Sequence, residues 1–352
     1  MRSTLGPTAS GLSSPPGTTA PPRRLRKAVI PLAGRATRLY PASASVKKGL
    51  FPLVDRDGVA KPTIQIIVEE ALASGIEQVC LVTGPGDEEV YRRHFRAMPA
   101  EQRSAYAGSA YAGKEWALAQ SDWLGRAGDR ITFAVQPRPE GYGHAVYCAR
   151  GFVGDEPCLV MLGDHVYVSR RERRCAGQLL DVFERHNCSV SAVNVVGESA
   201  LPFFGTVRGR LAPGEPNVYE AEEIVEKPAA EYARSHLRAE GLPEGQYLCF
   251  FGLHAMTPGI FDRLEHAIRH DLREKGEIQL TAAQAALCQR ERYLAFVVDG
   301  ERYDTGVPGG LVETQLALAL RSPLRESVRE TLRRLAPGDW GLSDRPLAEA
   351  QG

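Results

Sequence analysis

The sequence predicts an α/β fold built on a doubly wound, mainly parallel sheet. Three observations predict it. Eight short apolar runs recur along the chain, separated by segments of helical periodicity. The runs are rich in Val, Ile, Leu and Phe, and lack the polar alternation of half-exposed strands. Two of them end abruptly in small-residue turns, Leu32–Gly34 and Leu162–Asp164, and ligands bind at such strand ends in doubly wound sheets.

Taken in order, the expected strands are Ala28–Leu32, Gln78–Val82, Thr132–Val135, Cys158–Leu162, Val190–Val196, Tyr219–Val225, Leu248–Met256 and Leu294–Val298. A helix is expected over Thr63–Ser74, where Ile64, Ile67, Val68 and Ala71 form one stripe and Gly75 supplies a left-handed cap. A second spans Gly177–His186, with Leu180 and Phe183 in register and Asn187 at its stop, and a third spans Gly310–Arg321. The stretch Leu201–Leu253 is charged, with short strands, and predicts a small β-rich substrate lobe at about 200–255. Residues 1–25 are rich in Gly, Ser, Thr and Pro and read as a disordered tail. Arg23, Arg24, Arg26 and Lys27 read as its solvated lead-in to the first strand. The main domain is then 26–322. Residues 323–352 form a charged tail with Pro323, Pro337 and Pro346.

With 352 residues the chain is too long for one small core, so a large domain with appendages is expected. Lys plus Arg and Asp plus Glu both number 43, which argues against a mainly electrostatic nucleic-acid binder. No apolar run reaches the roughly 18 residues needed to span a membrane, and the first residues lack the apolar core of a secretory signal. The 7 cysteines include no Cys-x-x-Cys pair, so free thiols in a reducing cytoplasm are expected rather than disulfides or zinc.

Several stretches carry chemistry. The turn after the first strand points consecutive backbone N–H groups outward, a nest suited to phosphate. Gly34 allows close approach and Arg38 can fork onto phosphate oxygens. The turn lacks both Gly-x-Gly-x-x-Gly and Gly-Lys-Ser/Thr, so it is neither a dinucleotide fingerprint nor a P-loop. By itself it could be a plain strand–helix connection. Asp164 at a strand end suits a metal but could also cap a helix; Asp304 could shape an Asx turn. Lys47-Lys48-Gly49-Leu50-Phe51-Pro52, Lys61-Pro62, the run Gln136–Ala145, Glu226-Lys227-Pro228, Gly276–Thr281 and Arg302-Tyr303-Asp304-Thr305-Gly306 complete the set.

From about Lys27 to Leu318 the chain resembles the nucleotide-sugar pyrophosphorylases (sugar-1-phosphate nucleotidylyltransferases), in particular the bacterial UTP–glucose-1-phosphate uridylyltransferases. The turn Leu32–Arg38, Gly-His-Ala-Val at Gly143–Val146, Val-Glu-Lys-Pro at Val225–Pro228 and Gly-Glu-Ile-Gln-Leu-Thr at Gly276–Thr281 carry the resemblance by their order and spacing. It implies a Rossmann-like, glycosyltransferase-A-like nucleotidyltransferase fold. It implies that Leu32, Ala33 and Gly34 wrap the nucleotide, with Arg38 on the triphosphate and Lys48 neutralising phosphate. It implies that Gln136 and Gly141 read the base edge, and that Asp164 and Asp304 hold Mg²⁺. Gly205, Glu226 and Lys227 fall to the sugar phosphate. The implied partners are an NTP and a sugar phosphate, with no nucleic acid or membrane, in a homo-oligomer by analogy.

The set is chemically coherent. A sugar phosphate attacks the α-phosphorus of an NTP in line and pyrophosphate leaves. The attacking phosphate has a second pKa near 6, by analogy with phosphoserine, so no general base is needed. Repulsion between polyanions is the obstacle, and metal with Lys or Arg clamps removes it. The default reaction is UTP plus glucose 1-phosphate. One alternative is a GTP or ATP enzyme for a valienol-type cyclitol phosphate. Another, from a different class, is an inactive nucleotide-binding regulator.

Departures from the family pattern motivate those alternatives. Ala36 stands where a second glycine is usual, so the backbone there keeps negative φ or meets a small penalty. Gly49 replaces a glutamate, Gly163 a proline, and Leu253-His254 an Arg-Tyr. Arg56–Ala60 reads as an extra hairpin tip.

Overall fold

The computed structural model describes residues 24–107 and 115–335. The strands are β1 (Lys27–Pro31), β2 (Pro52–Val54), β3 (Ala60–Pro62), β4 (Gln78–Thr83), β5 (Ile131–Val135), β6 (Cys158–Met161), β7 (His165–Ser169), β8 (Ser189–Gly197), β9 (Gly205–Ala212), β10 (Glu215–Glu226), β11 (Gln246–Met256), β12 (Tyr293–Val297) and β13 (Gly300–Asp304). All eight expected strands form. β7 and β13 were not expected; β2 and β3 flank the expected hairpin tip, and β9 lies in the stretch expected to hold short strands.

The apolar runs pack into one nine-stranded sheet of order β5-β4-β1-β6-β11-β8-β12-β10-β9. β1 lies parallel to both β4 and β6. The chain therefore steps outward from β1 through β4 to β5, then returns to the other side of β1 as β6. That reversal is a topological switch point, and the crevice beyond β1 and β6 is where a doubly wound sheet binds ligand. The turns Leu32–Gly34 and Leu162–Asp164 open into it. β11 runs antiparallel between β6 and β8. The β-rich stretch is continuous with this sheet: β9 and β10 extend its edge, and β9 returns to pair with β11.

Two small ribbons matter more than their size. β2 and β3 pair as the hairpin expected around Arg56–Ala60. β7 and β13 pair antiparallel, with Asp304 opposite His165.

Helix Thr63–Ala73 buries Ile64, Ile67, Val68 and Ala71 as its stripe predicts. Each fully buried isoleucine contributes about 2 kcal/mol. Its first residue is anchored by Thr63 Oγ1 donating to the Phe51 carbonyl at 3.0 Å. Gly49 packs on this helix: a Cβ there would meet Leu32 Cδ2 at 3.1 Å and Ile64 Cβ at 3.4 Å. Helix Cys175–His186 ends on Asn187, whose left-handed backbone (φ 50°) caps it.

The expected tails need adjustment. Leu25, assigned by sequence to the N-terminal tail, is fully buried in the core. Arg26 and Lys27 both pair with Glu156, at 2.9 and 2.7 Å. Past Pro323 the chain forms a further helix, Arg325–Leu335, rather than an irregular tail; its charged periodicity outlasts the proline. Residues 1–23 and 336–352 lie outside the described residues. All seven cysteines are free thiols.

Candidate active site

Asp164 sits just past β6 because an apolar strand ends there and the chain turns straight into β7. Gly163 permits the turn: a Cβ would lie 2.4 Å from the Pro31 carbonyl oxygen. Lys48 arrives from the loop held by the Thr63–Ala73 helix, and its Nζ lies 3.0 Å from Asp164 Oδ2. His165 Nδ1 lies 3.0 Å from Asp164 Oδ1. Burial pushes the Asp164 carboxyl up, but Lys48 and His165 outweigh it and hold the group well below the usual carboxylate range. Asp164 is therefore an anion at any working pH.

The β7–β13 register brings Asp304 to the same point. One ligand atom from each of Asp164, His165 and Asp304 lies within 4.8 Å of the others. Two carboxylates this close repel unless a cation sits between them, and two carboxylate ligands plus waters suit Mg²⁺. The donor set thus fits a hard divalent cation. Asp304 also shapes its turn, since Gly306 N–H donates to its Oδ1 at 2.7 Å. The turn reading of that aspartate holds, and the same carboxylate lies within reach of Asp164.

Gly306 seals the arrangement. A Cβ there would meet Asp164 Oδ2 at 2.7 Å, Asp304 Oδ1 at 2.9 Å and Arg38 Nη2 at 3.4 Å. Arg38 makes no hydrogen bond or ion pair among the described residues.

These groups open into a cavity of about 360 Å³ that runs to Gly205, Glu226 and Lys227. Asp164, Asp304 and Glu226 line it against Arg38, Lys48, Lys227 and Arg302. Three carboxylates against four cations, with a divalent cation added, leave a net positive chamber suited to polyanions. Glu226 Oε2 accepts from Thr281 Oγ1 at 2.7 Å, and Gly205 is required because a Cβ would meet Phe250 Cδ2 at 2.6 Å and Glu226 Oε2 at 3.2 Å. Lys227 has a left-handed backbone (φ 46°) and its Nζ lies 3.6 Å from Glu226 Oε1.

The remaining predicted residues, Leu32, Ala33, Gly34, Gln136 and Gly141, do not line this cavity. Leu32 is buried, and its side chain packs under Gly49 and Gly163; only its backbone belongs to the turn. Ala33 is half-buried and Gly34 exposed, with Lys48 Nζ 3.4 Å from where a Gly34 Cβ would be. Ala36 adopts φ 50°, ψ 42°, so the turn keeps the glycine-like conformation and the penalty is met. Gln136 is buried; its Nε2 donates to the Gly141 carbonyl at 3.0 Å and lies 3.1 Å from His144 Nδ1. Its Oε1 alone is left for a ligand. Gly141 has φ 113°, and a Cβ would strike the Ile278 carbonyl at 2.7 Å, so no other residue fits.

Sequence reasoning included Arg302, Thr281 and Tyr142 in its chemistry-bearing stretches but gave them no role. Arg302 lies two residues before Asp304 on β13, hence on the same face, which was the available signal. Its guanidinium stacks 4.0 Å from the Phe204 ring and donates to the Phe250 carbonyl at 3.1 Å. Tyr142 lines the cavity with its hydroxyl buried and without a partner among the described residues.

A family model described as nucleotidyl transferase matches residues 27–320. The chain belongs to this family. As a nucleotidyl transferase it has curated relatives of nearly its own length. The UTP–glucose-1-phosphate uridylyltransferase of Bacillus subtilis is 34% identical over 299 residues, covering 85% of this chain and 92% of that one. That of Streptococcus pneumoniae is 36% identical over 303 residues, with the same coverage of 85% and 92%. Among solved structures, a UDP-glucose pyrophosphorylase complexed with UDP-glucose superposes with a TM-score of 0.65 at 26% identity, covering 83% of this chain and 98% of the other. UDP-glucose pyrophosphorylase from Acinetobacter baumannii gives 0.71 at 26% identity, with 88% and 99% covered. This nucleotidyl transferase therefore has the α/β fold its apolar runs predicted.

Proposed function

We propose that the protein is a UTP–glucose-1-phosphate uridylyltransferase: UTP plus glucose 1-phosphate gives UDP-glucose plus pyrophosphate. The carrying observation is one cavity that joins the Asp164–Asp304 pair and Lys48 to Glu226 and Lys227. Relatives bearing that name cover most of the chain.

Asp164 and Asp304 would hold Mg²⁺, which supplies positive charge to polyphosphate oxygens. The protein does the rest by position. Lys48 and Arg38 flank the carboxylate pair and neutralise the triphosphate and the departing pyrophosphate. Lys227 grips the sugar phosphate, and Glu226, oriented by Thr281, accepts from sugar hydroxyls. The phosphate oxygen forms the new bond to the α-phosphorus while the α–β bridging bond breaks toward pyrophosphate. Gln136 supports uracil, because its free Oε1 is an acceptor and the uracil N3–H is a donor. His144 is tied to Gln136, consistent with a reaction that needs no base. The gathering of all these charged groups argues against an inactive regulator. The expected homo-oligomer and cytoplasmic location are part of this proposal.

The test is pyrophosphate release with Mg²⁺, each common NTP and glucose 1-phosphate. Turnover with UTP above the other nucleotides supports the reading. Turnover only with another nucleotide, or only with a cyclitol phosphate as acceptor, overturns it.

A further inference from the structure

His254 lies on β11, where Phe250, Gly252 and His254 alternate onto one face and all three line the cavity. The imidazole stands edge-on to the Phe250 ring, with centroids 5.0 Å apart. Behind it is a sealed polar cluster. Ser191 Oγ lies 2.7 Å from His254 Nδ1 and 2.6 Å from the Tyr293 hydroxyl. Gln284 Nε2 donates to His254 Nδ1 at 3.0 Å and to the Tyr293 hydroxyl at 3.0 Å. All four side chains are buried.

This cluster decides the tautomer. Gln284 Nε2 is a donor only, so Nδ1 must be the accepting nitrogen and the ring proton sits on Nε2. Nε2 has no partner among the described residues, yet it is not among the sealed, unpartnered atoms. It is the edge of the ring that meets the cavity. Burial keeps the ring neutral, lowering its pKa to about 3.

Resting on the proposed reaction, we propose that His254 is a specificity-determining residue whose Nε2–H donates a hydrogen bond to a ring or hydroxyl oxygen of the acceptor sugar phosphate. Glu226 is an acceptor and His254 a neutral donor, so together they read the direction of a hydroxyl as well as its presence. A neutral donor also discriminates better than a cation would. It adds no attraction for the phosphates that every competing acceptor shares. A buried donor left unpaired is costly, so an acceptor lacking the matching oxygen is penalised. Ser191 and Gln284 are positioning residues that fix the ring.

The experiment is a substrate–variant cycle. Wild type and His254→Phe are assayed with UTP against glucose 1-phosphate and its monodeoxy and deoxyfluoro analogues. His254→Gln, which restores an N–H donor, is the rescue variant. The expected result is a KM for glucose 1-phosphate raised about tenfold in His254→Phe. KM for UTP stays within about twofold, and His254→Gln recovers part of the loss. One analogue should cost the wild type the same factor and cost His254→Phe nothing further. Equal losses on every analogue, or a KM for UTP that rises in parallel, overturns the assignment in favour of a packing role. No turnover by the wild type on glucose 1-phosphate overturns the proposed reaction instead. The same cycle then runs on the acceptor phosphate that does react, where parity between wild type and His254→Phe overturns the role of His254.

Discussion

Lys48 Nζ lies 3.0 Å from Asp164 Oδ2, and both side chains are largely buried. A buried lysine–carboxylate pair is costly to desolvate and gives little net stability. Here it holds an anion ready at the mouth of a switch-point crevice, beside a second carboxylate.

Removing the lysine should therefore have two effects. Lys48→Met leaves the buried Asp164 with His165 as its remaining partner, so stability falls by about 3 kcal/mol. Turnover falls on the order of 10²- to 10³-fold as the phosphate clamp is lost. Mg²⁺ should raise the melting temperature more in Lys48→Met than in the wild type, because it neutralises the same carboxylate. Thermal melts with and without Mg²⁺ check this; identical shifts would remove the coupling.

Gly306→Ala tests the packing of the carboxylate pair. Its Cβ would sit 2.7 Å from Asp164 Oδ2 and 2.9 Å from Asp304 Oδ1. Activity should drop by about 10²-fold or more, as for a misplacement near 1 Å. The melting temperature should move little. A fully active Gly306→Ala enzyme contradicts the geometry.

Ala36→Gly goes the other way. The left-handed backbone at φ 50° costs alanine about 1 kcal/mol relative to glycine. Glycine recovers part of that and loses some through a freer unfolded chain. The variant should be equal to the wild type or up to about 0.5 kcal/mol more stable in urea unfolding, with kcat unchanged. Clear destabilisation would mean the turn has negative φ.

Stability should depend on acid through two buried histidines. Burial lowers His94 from 6.5 to about 4 and His254 from 6.5 to about 3. Both are neutral in the fold and titrate normally once unfolded. Between these values the unfolded chain binds protons that the fold refuses. Stability is thus fully present above pH 6.5 and is lost as pH falls, down to about 4 for His94 and about 3 for His254. The slope approaches about 1.4 kcal/mol per pH unit for each group. His94→Leu removes one contribution without breaking a hydrogen bond, since Nε2 has no partner among the described residues. Urea midpoints from pH 7 to 5 should fall less steeply in that variant; parallel curves contradict the account.

The strands that carry the sheet were legible because burial on both faces writes an unbroken apolar run. The ribbon of β7 and β13 was not, because β7 follows β6 after only Leu162–Asp164 and β13 carries Glu301, Arg302 and Asp304 in place of an apolar run. That omission hid the register that sets Asp304 beside His165. Asp164 could be read as a strand-end carboxylate, but its proximity to Asp304 depends on a pairing no local pattern encodes. Gly49 and Gly163 read in sequence as departures from the family pattern. In the fold, the Pro31 carbonyl and Leu32 leave no room for a Cβ at Gly163, and a Cβ at Gly49 would press on Leu32 at 3.1 Å. The Ser191–His254–Gln284–Tyr293 cluster was illegible, since its members come from three strands and a helix.

The most direct measurement is Mg²⁺-dependent pyrophosphate release from UTP and glucose 1-phosphate by the wild type, Asp164→Asn and Asp304→Asn, with circular dichroism to verify folding. The account predicts turnover by the wild type that vanishes on chelation, and a loss of at least about 10²-fold in each folded variant. Either variant working at the wild-type rate would contradict it.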